Sequence, residues 1–175
     1  MPSRRHAIRT GGALLAGLVW PRLPLASEPV EIRMQGNADG SQVWFDPVGL
    51  RVDLGQMIRW INLDPGNSHT TTAYHPNNFG RPLRIPDGAE PWNSDYLLPN
   101  DDFFVTLPRE GVYDFFCIPH EHAGMVGRII VARPGSSPAN RLSAQAAGEE
   151  PIPEIALRAF PSVDEIMRRG LVRRV

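Results

Sequence analysis

One nine-residue segment carries most of the chemistry of this chain: Cys117-Ile118-Pro119-His120-Glu121-His122-Ala123-Gly124-Met125. It contains the only cysteine of the sequence, followed closely by a histidine and then by a methionine. A thiolate, an imidazole and a thioether on one short loop suit a copper ion that alternates between Cu(I) and Cu(II). A trigonal site of two histidines and one cysteine, with a weak axial methionine, needs one more histidine. His69, in the upstream segment Asn67-Ser68-His69-Thr70, is the best candidate.

Two parts of the sequence resemble the cupredoxins, most closely the plastocyanin and pseudoazurin group. Residues 115–127 have the C-x2-H-x4-M spacing of the plastocyanin ligand loop. Phe45-Asp46-Pro47 and residues 52–62 are similar to the strand–turn–strand that leads to the first histidine ligand in that family. Together the matches span roughly residues 30–132, which is nearly all of the expected folded domain.

This resemblance implies an all-β cupredoxin fold, a Greek-key sandwich or barrel. It implies one copper ion, with His69, Cys117, His120 and Met125 as the ligands and His120 as the ligand nearest solvent. It further implies a one-electron carrier that is not an enzyme in its own right. The alternative from another class is a copper-binding protein that delivers or stores the metal in the periplasm.

Two residues depart from the family pattern. Thr70 stands after the first histidine, where the family commonly has an asparagine that helps to hold the cysteine loop. A threonine hydroxyl can also form a hydrogen bond, but a changed partner alters the tuning of the sulfur. His122 stands where plastocyanin-like loops commonly carry a small residue, and we expect an exposed loop histidine rather than an alternative ligand, a proton-linked switch or a partner contact.

Other metal sites fit the sequence less well. A thioether is a poor zinc ligand, and a dinuclear copper centre of the oxidase type would need two cysteines on the loop. Multicopper oxidases and copper nitrite reductases carry a histidine directly beside the cysteine, whereas the neighbours here are Phe116 and Ile118.

Charge is distributed unevenly along the 175 residues, although the net charge is only −1. Residues 27–132 contain 7 Arg against 14 Asp and Glu, a net charge of −7, whereas residues 133–175 have a net charge of +2. The acidic domain could steer a basic redox partner such as a c-type cytochrome, or it could simply keep an exported protein soluble. We expect no nucleic acid partner.

The N-terminal residues 1–26 resemble a twin-arginine export signal and are expected to lie outside the fold. They begin with Ser3-Arg4-Arg5 and continue into a short apolar run that is too short to span a bilayer as a stable helix. The mature chain is therefore expected in the periplasm. The alternative is that an uncleaved signal tethers it to the membrane.

Short apolar runs separated by turns predict the strands of the copper domain, residues 27–132. A strand is expected over residues 69–74, and residues 77–100 are expected to form a long surface excursion because they are rich in Pro, Gly, Asn and Asp. Pro108-Arg109-Glu110-Gly111 is expected to form a hairpin turn.

Residues 133–175 are expected to form a linker followed by a short amphipathic helix. The helix is predicted to begin with a capping box at Ser162 and Glu165, and Val163, Ile166 and Met167 form its apolar stripe. Packing against the sandwich is favoured over docking to a partner, because so short a helix is marginal in water on its own.

Overall fold

Nine β-strands in two sheets form the framework of the computed structural model, which describes residues 28–133, 135–136 and 150–174. The predicted export signal and most of the predicted linker lie outside these residues. The strands are β1 (Val30–Gly36), β2 (Val43–Asp46), β3 (Gly49–Val52), β4 (Met57–Asn62), β5 (Thr72–Ala73), β6 (Asp102–Thr106), β7 (Gly111–Phe116), β8 (Val126–Val131) and β9 (Leu171–Val172).

The two sheets have the mixed topology of a β-sandwich, so the all-β prediction is confirmed. The first sheet has the order β2-β1-β4-β6, with β1 and β4 parallel. The second has the order β5-β7-β8-β3-β9, with β3 and β8 parallel and β7 and β8 antiparallel.

A buried aromatic cluster joins the two sheets. In β4, burial alternates along the strand, and Trp60 points into the core with no exposed surface. The Phe115 ring on β7 lies 5.4 Å from the Trp60 ring and 4.8 Å from the Phe45 ring on β2, both in edge-to-face geometry. Because Phe115 is two residues before Cys117, this cluster anchors the strand that carries the cysteine.

The C-terminal segment packs on the outer face of the second sheet. It forms helix α1 (Glu154–Ala159), helix α2 (Val163–Arg169) and β9, which pairs with β3. The Ser162 hydroxyl accepts a hydrogen bond from the Glu165 amide at 3.1 Å, which is one half of the predicted capping box, whereas the Glu165 carboxylate accepts from Arg169 at 2.8 Å. Ile166 of α2 is fully buried in a cluster with Val112, Ile130 and Ala132 of the second sheet. The expected packing of this helix is thus confirmed, whereas α1 and β9 were not predicted.

A buried ion-pair cluster fastens this segment to the sheet. Asp114 of β7 accepts hydrogen bonds from Arg84 at 2.8 Å and from Arg128 at 2.7 Å. Arg128 also donates to the Pro161 carbonyl at 2.7 Å, and both guanidinium groups lie about 5 Å from the centre of the Phe160 ring. This arrangement explains why every residue of β7 and β8 is buried: one face meets the core and the other meets the C-terminal segment.

The prediction that residues 77–100 form a surface excursion is only partly right. Ile85, Ala89, Trp92 and Leu97 are buried in the main core, and the Trp92 ring lies 5.6 Å from that of Trp60. The Pro- and Gly-rich composition correctly indicates irregular backbone, but apolar side chains spaced along the segment pack into the core of the sandwich.

Two smaller expectations were wrong. The turn at residues 108–111 is not a hairpin, because β6 pairs with β4 in the first sheet whereas β7 pairs with β5 and β8 in the second. It therefore connects the sheets. The strand expected over residues 69–74 is regular only at β5, although His69 forms an isolated bridge with Leu97.

Candidate metal centre

The loop between β7 and β8 is closed by its own backbone. A short 3₁₀ helix, Ile118–Ala123, begins directly after Cys117 and ends at Gly124, whose φ of 79° favours glycine. The Cys117 amide donates to the Met125 carbonyl at 3.0 Å, and the Met125 amide donates to the His120 carbonyl at 3.1 Å. The loop therefore holds Cys117, His120 and Met125 at one end of the sandwich.

Three of the four predicted ligands converge on one point. His69 Nδ1 lies 3.1 Å from His120 Nδ1, and Cys117 Sγ lies 3.6 Å from the first nitrogen and 3.4 Å from the second. The position equidistant from these three atoms is about 2 Å from each, which is close to the length of a metal–nitrogen or metal–sulfur bond. The donor set and its spacing therefore fit a soft transition-metal ion such as copper.

Met125 is fully buried in the main core cluster together with Cys117. Its backbone is tied to both loop ligands, as described above. The role of Met125 as the axial ligand stays a prediction.

Burial differs between the two histidines. His69 has no exposed surface, whereas His120 is partly exposed and is preceded by the exposed Pro119. The site therefore meets solvent on the His120 side, as the sequence predicted. His122 is exposed and lies outside the group of three converging residues, so the expectation of an exposed loop histidine agrees with the structure.

Thr70 connects the two ligand segments. Its amide donates to Cys117 Sγ at 3.3 Å, and its hydroxyl accepts a hydrogen bond from the Ile118 amide at 2.8 Å. The threonine hydroxyl thus holds the cysteine loop. This is the role that the resemblance assigns to an asparagine side chain at this position.

Asp64 is a residue of the site that the sequence analysis missed. Its Oδ2 lies 3.0 Å from His69 Nε2, on the side of the ring opposite the converging Nδ1. Asp64 is 2% exposed, although it belongs to the segment Asp64-Pro65-Gly66-Asn67, whose composition indicates only a turn. The one available signal was an acidic residue within a few positions of a candidate ligand.

Burial shifts the pKa values of the three converging residues. It raises the pKa of the Cys117 thiol to about 12, so the metal-free chain keeps this proton at neutral pH and a bound metal must displace it. Burial also lowers the pKa of His69, against the opposing effect of Asp64, and it lowers the pKa of His120 with help from His69. Both imidazoles are therefore neutral near pH 7 and can act as ligands.

A second buried polar group braces the ligand loop. Glu121 is 1% exposed, accepts a hydrogen bond from the Tyr74 hydroxyl at 2.7 Å and forms an ion pair with Arg81. Burial raises the pKa of Glu121 despite these partners. Because Glu121 follows His120 directly, these contacts fix the 3₁₀ helix to the segment that follows β5.

Comparison with known proteins decides the family. Residues 32–132 match the model for copper binding proteins of the plastocyanin/azurin family. The chain belongs to that family. A pseudoazurin from Methylorubrum extorquens is 31% identical over 68% of this chain and 72% of its own length. A chloroplastic plastocyanin from Tetradesmus obliquus is 27% identical over 74% of this chain and 83% of its own length.

Solved structures support the same fold. The pseudoazurin from Methylobacterium extorquens AM1 aligns with a TM-score of 0.54 at 22% identity, covering 81% of this chain and 98% of that protein. A pseudoazurin from Sinorhizobium meliloti aligns with a TM-score of 0.50 at 24% identity, covering 80% of this chain and 98% of that protein. The predictions of a cupredoxin sandwich and of copper as the cofactor are confirmed, and blue-copper electron transport is the activity that the family supports.

Proposed function

We propose that this chain is an exported blue-copper protein that carries single electrons between redox partners, with His69, Cys117, His120 and Met125 as its copper ligands. The observation that supports this most strongly is the convergence of two imidazole nitrogens and one thiol sulfur within 3.6 Å of one another, on two buried residues and one partly exposed residue. A soft, enclosed donor set of this kind favours a retained, redox-active copper ion.

A bound copper ion would supply the one-electron couple. The chain holds the donor atoms in place: backbone hydrogen bonds close the cysteine loop, Thr70 ties it to the segment of His69, and Phe115 anchors β7 in the core. A site that is held in this way changes little between oxidation states, which keeps the energy of reorganisation low. The partly exposed His120 gives the shortest covalent path from the site to the surface.

Electron transfer of this type needs no substrate chemistry. Phe116 and Ile118, which flank Cys117, carry no group that could link the site to a second metal centre. We therefore propose a carrier rather than an oxidase or a nitrite reductase.

The copper-loaded chain should show an intense visible absorption band from charge transfer between the thiolate and copper. Cys117→Ser should abolish this band, because it removes the sulfur, while the far-ultraviolet circular dichroism stays that of the folded chain. His122→Ala is the matched control, since His122 is exposed and lies outside the converging group, and it should keep the band. A blue Cys117→Ser protein would refute the ligand assignment.

The rival function is copper delivery or storage. A delivery protein should give up its metal readily to a chelator, whereas a carrier should retain it and exchange electrons instead. Rapid loss of copper to a chelator of moderate affinity, without any visible band beforehand, would favour delivery.

The partner that we propose is a redox protein with a basic surface, such as a c-type cytochrome. Residues 27–132 have a net charge of −7, and several of their acidic residues are exposed in the structure, including Asp87, Glu90 and Asp95. Electron transfer measured by stopped flow should then slow as ionic strength rises, because exposed charges are screened beyond about 10 Å at 0.1 M salt. A rate that is flat or rises with salt would instead point to docking by the exposed apolar residues near His120, which are Pro119 and Ala123.

We also propose export to the periplasm and a division of the chain into an export signal (residues 1–26), a copper domain (residues 27–132) and a C-terminal extension (residues 133–175). Among the described residues, no helix is long and apolar enough to cross a membrane. The mass of the chain recovered from the periplasmic fraction would test the expected removal of residues 1–26. A full-length chain in the membrane fraction would show that the signal remains as a tether.

A further inference from the structure

The structure assigns Asp64 as a positioning residue that fixes the orientation and tautomer of His69 and would stabilise an oxidised copper ion. This inference deepens the proposed function and rests on it for the role of copper. The juxtaposition that carries it is a buried carboxylate 3.0 Å from the ring nitrogen of His69 that faces away from Cys117 and His120.

The Asp64 carboxylate is held by several independent contacts. The Gly66 amide donates to Oδ1 at 2.9 Å, and the Asn67 side-chain amide donates to Oδ2 at 2.9 Å. The Asp64 amide in turn donates to Asn62 Oδ1 at 2.9 Å. Asn62 is itself fixed, since its amide group donates to the carbonyls of Asn67 and Leu97. A carboxylate positioned so firmly can impose its geometry on the imidazole beside it.

Gly36 at the end of β1 allows this close packing. A Cβ atom on Gly36 would lie 2.7 Å from Asp64 Cγ and closer still to Oδ2. Gly36 thus lies against Oδ2, the same oxygen that contacts His69, and a side chain at this position would displace that oxygen from its place beside the imidazole.

Hydrogen-bond chemistry gives the first consequence. A carboxylate can only accept, so the proton of neutral His69 resides on Nε2 and the lone pair of Nδ1 faces the point on which Cys117 Sγ and His120 Nδ1 converge. A partner of this type fixes the tautomer and the ring orientation of a metal-binding histidine and raises its basicity.

Charge gives the second consequence. The oxidised ion carries one more positive charge than the reduced ion, and a carboxylate across one imidazole ring stabilises the higher charge more. Low exposure of both Asp64 and His69 strengthens this interaction, since little water screens it. Asp64 should therefore favour Cu(II) and lower the reduction potential.

The test compares three variants of the full chain. Asp64→Asn removes the charge at nearly constant shape and should shift the Cu(II)/Cu(I) equilibrium at least about tenfold toward Cu(I), a rise in potential of about 59 mV for each factor of ten. Asp39→Asn is the matched control: Asp39 is exposed in the neighbouring turn and should leave the potential unchanged. Gly36→Ala keeps the charge of Asp64 but displaces its carboxylate, so it should shift the potential in the same direction as Asp64→Asn. It tests the inference independently if Asp64→Asn fails to fold.

A second readout does not need copper. Nitrogen NMR of the metal-free chain should show neutral His69 with its proton on Nε2, and Gly36→Ala should mix in the other tautomer. A proton on Nδ1 in the unmodified chain would overturn the inference, as would an Asp64→Asn potential no higher than that of Asp39→Asn. A chain that showed the Nε2 tautomer but no blue copper would refute the proposed function alone.

Discussion

Replacing the Thr70 hydroxyl by a methyl group should loosen the cysteine loop. In Thr70→Val the side-chain volume is nearly kept, but the Ile118 amide loses the acceptor that lies 2.8 Å away. Thr70 is fully buried and the Ile118 side chain is partly buried, so water replaces this acceptor poorly. An amide left without a partner in such a place costs about 1–3 kcal/mol.

Two assays measure this cost. The free energy of unfolding in urea should fall by about 1–3 kcal/mol in Thr70→Val. Hydrogen exchange at the Ile118 amide should become about tenfold faster or more, since 1.4 kcal/mol corresponds to a factor of ten. The second assay is local and reports on the cysteine loop directly.

Thr70→Ser is the matched control. It keeps the hydroxyl and loses only a buried methyl group, at a cost of about 0.8 kcal/mol. Ile118 exchange should therefore stay close to that of the unmodified chain in Thr70→Ser. If Thr70→Val and Thr70→Ser gave the same Ile118 exchange rate, the hydroxyl would not hold the loop, and the explanation given for this departure from the family pattern would be wrong.

Two further substitutions test the axial ligand and the C-terminal packing. Met125→Leu should still bind copper but have a higher reduction potential, because an axial thioether is a weak donor whose loss favours Cu(I). Voltammetry would measure this change. Complete loss of copper would show instead that Met125 is a stronger ligand or that the packing of the loop requires it. Ile166→Ala should lower the free energy of unfolding in urea by about 2–5 kcal/mol, because Ile166 is fully buried. Leu157→Ala in α1, at a side chain that is 46% exposed, should change the free energy of unfolding by less than about 0.5 kcal/mol. If Ile166→Ala had an effect as small as this, the packing of α2 would contribute little to stability.

The proposed metal ligands could be identified as candidates from sequence because their chemistry is local. Cys117, His120 and Met125 occupy a single loop, and the loop spacing alone identifies the class of site. His69 is distant in sequence, but the strand pattern that precedes it resembles the family closely enough to place it. The convergence of His69, Cys117 and His120 in the structure agrees with that reasoning.

Asp64 could not be identified in the same way. Asp, Pro, Gly and Asn are common in turns for reasons of backbone conformation, so an aspartate among them is only a weak signal, even within a few positions of a candidate ligand. Its contact with His69 depends on the close approach of Gly36 from another strand, which is a property of tertiary packing. The burial of Trp92 and Leu97 within an irregular segment was missed for a similar reason, since local composition describes the backbone and not where its side chains point.

The pairing of β9 with β3 makes completion of the second sheet depend on the last residues of the chain. Leu171 and Val172 cover the outer edge of β3 through their register with Leu50 and Gly49. Until these residues leave the ribosome, β3 presents an open edge, and open edges are sites of intermolecular pairing. A chain shortened before β9 would therefore retain every proposed copper ligand and still be recovered as aggregate, because it lacks the strand that covers the edge of β3.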